Sequence, residues 1–184
     1  LTEPLRQAPP ETLRRARLTV FCCLVSAVTH ALTAVPILMQ GIPMVAAGNL
    51  GAAVLSALLP IALRRGAPLR LASHGIVGVL FAFVVATAGV SGGAATSALH
   101  TLAIIPGLAV LLAGRRAMLG WTGASLGFLA VLGALNLVGV DFPVSIAPEK
   151  TALAKFPGVM ALTAGVAGFG AEVEDRAELR DALG

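Results

Sequence analysis

The sequence predicts an all-α polytopic membrane protein with six transmembrane helices and both termini in the cytoplasm. Three observations predict it. Six continuous apolar segments run through the 184-residue chain, each near the roughly 20 residues that about 30 Å of hydrocarbon requires. Hydrophobic residues make up 57% and charged residues 12%, against about 45–50% and about 25% in soluble domains. That leaves too little polar surface to cover a folded chain in water. All 11 arginines, finally, fall in alternate breaks between the segments.

The segments are 18–40, 44–63, 71–90, 94–113, 117–140 and 151–171. They are unbroken Leu, Ala, Val and Gly runs, whereas a β-barrel would show segments of about ten residues with alternating polarity. Backbone groups in lipid must be satisfied within the segment, so these runs have to be helices. Arg6, Arg14, Arg15 and Arg17 precede the first; Arg64, Arg65 and Arg70 lie between the second and third; Arg115 and Arg116 lie between the fourth and fifth; Arg176 and Arg180 follow the sixth. Basic residues near span ends mark the cytoplasmic side. Both ends of the chain and two turns are therefore expected inside, leaving only Lys150 and Lys155 as basic residues outside. The pI near 10 reflects these caps and not an aromatic-interleaved basic face, which argues against nucleic acid as a partner. Trp121, one turn inside the Arg115-Arg116 edge, is placed to anchor at the headgroups.

Three regions follow from this frame: a cytoplasmic N-terminal segment over 1–17, the six-helix domain over 18–171, and a cytoplasmic helical extension over 172–184. The first apolar run is longer than the roughly 7–15 residues of a signal peptide and is expected to be retained. The chain opens with Leu1 and ends in a stretch rich in helix formers, so it is expected to be part of something longer. The sixth span is expected to continue into that stretch as one helix.

Polar residues inside the spans are the candidate site. His30, Asn49 and His100 lie 12 to 15 residues from the arginine-bearing ends of their spans, roughly 18–23 Å deep at about 1.5 Å per residue. Asn136 lies deeper still. All four favour the outer half of the bilayer, where a polar side chain is costly and marks a functional candidate. The competing role is a hydrogen bond that holds helices together, and it suits Asn49 and Asn136 best. His30 and His100 suit either role, since a histidine pair could also bind a small polar ligand or titrate near pH 6.5. Bis-histidine haem usually needs helices with small residues packed against a large ring, with only His30 and His100 at matching depth here, and zinc would need further ligands, so no cofactor or metal is expected. His74, near the arginine edge, is expected to be interfacial.

The outer break after the third span contains Gly92-Gly93 among small residues. Such a loop permits close backbone approach to a ligand. Pro106, within the fourth span, removes a helical hydrogen bond beneath it. Cys22 and Cys23 are adjacent and near the reducing face, so ordinary packing is expected and no disulfide. Gly123 and Gly127, four apart on the fifth span, are expected to pack within the bundle.

The succession Asn49, Arg64-Arg65, Ser91-Gly92-Gly93, Pro106, Gly114-Arg115-Arg116 and Gly139 resembles the six-helix membrane sensor domains of bacterial histidine kinases and diguanylate cyclases. The resemblance runs from about Arg14 to Leu183, with Thr96-Ser97 where such domains often have Ser-Pro. It implies a signal-input domain of a two-component or cyclic-nucleotide system in the bacterial inner membrane, working as a homodimer and passing a signal through the sixth helix. The spans contain no catalytic constellation, so the chain is not expected to be an enzyme. A small apolar or amphipathic ligand, or the state of the membrane lipids, would be sensed by His30, Asn49, Gly92, Gly93, His100 and Asn136. The alternative expectation is a non-catalytic accessory subunit of a larger membrane complex, binding lipid or pigment.

Overall fold

A computed structural model describes residues 9–90 and 99–140, and every described element is α-helical. α1 spans Pro10–Met39, α2 Pro43–Arg64, α3 Leu69–Val90, α4 His100–Ala113 and α5 Arg115–Leu137. Four of them, α1, α2, α3 and α5, are long and apolar enough to cross a membrane. α4 has 14 residues, and the expected start of its span at 94 lies outside the described residues. So do Gly92, Gly93, the sixth apolar segment and the acidic tail.

α1 begins eight residues before the apolar run that predicted it. Pro10 sits in its first turn, where a locked φ and a missing N–H cost nothing. Glu11, in the same turn, accepts hydrogen bonds from Arg15 Nε at 2.9 Å and Arg14 Nη2 at 3.3 Å. Pairs three and four apart on a helix meet in this way, so the charged residues extend α1 and do not cap it from outside. The helix ends at Gly41, whose φ of 77° lies in the left-handed region that favours glycine. Gly66, at φ 95°, makes the same stop after α2.

Each helix packs along the next, and α1 also closes on α3 and α4. The main apolar core joins Cys22 and Cys23 of α1, Ile76, Val77 and Val84 of α3, and Ile105, Ala109 and Leu112 of α4. Both cysteines are buried and free, packed as apolar residues. The outer surface carries Leu24, Leu32, Leu50, Leu58 and Leu126, all at least half exposed, while Thr19, Ser26, Asn49, Ser56 and Ser73 are buried. Apolar residues outside and hydroxyls inside suit a chain solvated by lipid. In water, that much contiguous apolar surface would aggregate.

Among the described residues, arginines from three breaks gather at one end of the bundle. Arg70 lines a cleft with Arg115 and Arg116, and Arg17 lines another with Arg64. The Arg15 guanidinium reaches Gly114, lying 3.6 Å from where a Cβ would be at that position. Three breaks that are far apart in sequence thus form one basic edge.

Candidate functional site

The inner face of α1 carries a row of polar side chains at helical spacing. Thr19, Ser26 and His30 lie seven and four residues apart, so they stack along one stripe. Thr19 Oγ1 shares a hydrogen bond of 3.1 Å with Ser73 Oγ of α3. One turn and more above it, Ser26 Oγ shares one of 3.1 Å with Ser56 Oγ of α2. This stripe ties α1 to both neighbours, and small hydroxyl residues allow the close approach that helices in lipid use.

His30 sits at the upper end of the stripe, buried. Its Nδ1 lies 2.8 Å from the Ser26 carbonyl oxygen. A carbonyl can only accept, so Nδ1 carries a hydrogen and, in the neutral ring, Nε2 keeps the lone pair. Nδ1 is also 3.3 Å from Ser26 Oγ. With the ring as donor, the serine hydroxyl accepts from His30, and either hydroxyl can donate in its bond with Ser56. The imidazole meets the Phe83 ring of α3 edge-on, with centroids 4.7 Å apart and planes at 87°. His30 is thus held by its own helix and by Phe83 of α3, is linked to α2 only through Ser26, and in the neutral ring keeps one acceptor nitrogen.

Asn49 is fully buried on α2, and its Nδ2 donates to the Val45 carbonyl at 2.9 Å. That bond is local to α2. Asn136 is exposed near the end of α5, a helix that packs on α4 and α3 and so lies away from the His30 stripe. His100 is the first residue of α4; its side chain, like Gly92 and Gly93, lies outside the described part. Among the described residues no three His, Cys, Asp or Glu side chains gather as metal ligands.

The serines were the residues that sequence reasoning passed over. Their signal was present: Thr19, Ser26 and His30 share one helical face. Single hydroxyls in an apolar run look like ordinary composition until a partner helix supplies Ser56 and Ser73.

At the basic end, Trp121 is half-buried and lines the same cleft as Arg70, Arg115 and Arg116. Its ring lies 5.7 Å from that of Phe81, and its Nε1 donates to His74 Nδ1 at 3.3 Å. A Cβ on Gly123 or Gly127 would meet nothing within 4 Å among the described residues, and the sixth span lies outside them. Within the described bundle this small-residue face is open.

Comparison of the chain with protein-family models, with curated proteins and with solved structures finds no match.

Proposed function

We propose that the protein is a membrane-embedded signal-input domain that spans the bilayer six times, with its arginine edge and both ends in the cytoplasm of a bacterial inner membrane. The observation that carries this is the buried Ser56-Ser26-His30 chain wedged against Phe83, within a bundle whose outer surface is apolar. Polar groups that join three helices give two packings different energies when their hydrogen bonds rearrange. A small apolar or amphipathic ligand, or a change in the lipids, then shifts the balance by its differential affinity for the two. His30 Nε2 is the acceptor such a ligand would engage. The sixth helix carries the shift to an output module, which the order of short motifs shared with kinase and cyclase sensor domains suggests.

The reading frame beyond Gly184 tests the reading directly. Kinase or cyclase sequence there supports the sensor, and His30→Ala should then change the output of the attached module in a protein that still folds. A stop codon supports the second reading, an accessory subunit of a larger complex.

Orientation has its own test. Reporter fusions placed after Arg65 or after Arg116 are expected to give cytoplasmic activity, and a fusion after Gly41 external activity. The reverse pattern would overturn the proposed topology.

A further inference from the structure

The larger of the two clefts at the basic end has a volume of about 770 Å³, and its lining includes Arg70, His74, Arg115, Arg116 and Trp121. Its remaining lining residues are alanines and a glycine, so the side chains there offer hydrogen-bond donors and almost no acceptors. The histidine follows the same rule. Trp121 donates to His74 Nδ1, so the hydrogen of the neutral imidazole is on Nε2, and the ring's remaining function is to donate. Glu11 is the only acidic side chain among the described residues, and it is engaged with Arg14 and Arg15 on α1. None of the three cleft arginines therefore has a carboxylate partner among the described residues. They come from two separate chain breaks, so the convergence is a product of the fold.

A cleft that only donates requires a ligand that only accepts. We propose that it binds a phosphate group, that of an anionic phospholipid of the surrounding leaflet. Guanidinium forks match phosphate oxygens two at a time. The position supplies the source: the arginines stand at the end of the apolar helices, where headgroups lie, and Ala117, Gly120, Trp121 and Ala124 continue the wall along α5, where an acyl chain can follow. Trp121, wedged between the cleft and Phe81, would feel the ligand.

Because Trp121 is the chain's one tryptophan, emission under folded conditions comes from the cleft wall. The purified 184-residue protein in a non-ionic detergent is titrated with short-chain phosphatidylglycerol, short-chain phosphatidylcholine and inorganic phosphate. Phosphatidylglycerol is expected to give a saturable change in emission that weakens with added salt. Phosphatidylcholine, which carries its own cation, should bind about tenfold or more weakly, and inorganic phosphate likewise. Arg115→Gln and Arg116→Gln should each weaken phosphatidylglycerol by about tenfold or more, the loss of a charge-assisted hydrogen bond. Arg70→Gln, on a different helix, carries the same expectation should the α5 variants not fold. Arg65→Gln, which lines neither cleft, should stay within about twofold. Equal binding of the two lipids, unchanged affinity in the arginine variants, or no response to any probe would overturn the proposal. Inorganic phosphate binding as tightly as phosphatidylglycerol would overturn the lipid as the source.

Discussion

Replacing Ser56 with leucine is expected to destabilise the bundle by about 2–3 kcal/mol, whereas Ser56→Ala should cost well under 1 kcal/mol. Ser56 is 0% exposed, and its hydroxyl meets Ser26 at 3.1 Å where α1 and α2 pack most extensively. Alanine deletes one hydrogen bond. In lipid such a bond contributes about 0.6 kcal/mol on average, because the separated helices find other partners. Leucine deletes the same bond and also forces a larger side chain into a space with no room. Overfilling a packed site costs typically 1–3 kcal/mol, and prising α1 from α2 also withdraws Ser26 from its place beside His30. Titration from mild detergent into SDS, followed by Trp121 emission, measures both variants. If leucine were no worse than alanine, the α1–α2 contact would be looser than the structure has it. The seam beneath His30 would then not be the source of two discrete packings.

The apolar runs placed α2, α3 and α5 to within a few residues, because lipid leaves a helix as the only way to satisfy the backbone. The beginning of α1 was missed for the opposite reason. Pro10 and the Glu11-Arg14-Arg15 pairs make helix from residues too polar for a membrane, so hydropathy located the span and not the element. The candidate site was legible only in part. Depth along a span can be counted, and it brought His30 and Asn49 into view, but depth does not tell which way a side chain faces. Asn136 passed the depth criterion and is exposed on α5, while Ser26 and Ser56 failed to attract notice and form the buried contacts. Trp121 shows the same limit, since sequence position set it near the arginine edge and did not show its partner, His74 of α3. The arginine cleft was hidden for a related reason: Arg70 and Arg115 are 45 residues apart, and only the packing of α3 against the α4–α5 turn joins them.

Ile105→Ala is expected to cost about 2 kcal/mol, and the size of that number tests whether lipid is the protein's solvent. Ile105 is 0% exposed at the centre of α4, in contact with the core shared by α1 and α3. In a soluble protein the same change costs about 2–5 kcal/mol, a sum of lost transfer energy and the cavity left behind. In a bilayer the transfer share falls away, since the separated helix keeps its isoleucine in hydrocarbon. The cavity share stays: roughly 75 Å³ at about 24 cal/mol per Å³ gives about 2 kcal/mol. Leu32, on the outer face of α1 and 69% exposed, provides the contrast. If that face meets lipid, Leu32→Ala changes the surroundings of both states equally and should stay within about 0.5 kcal/mol. A loss at Leu32 as large as that at Ile105 would mean that the outer face of α1 is packed against protein, as an accessory subunit in a larger complex would require.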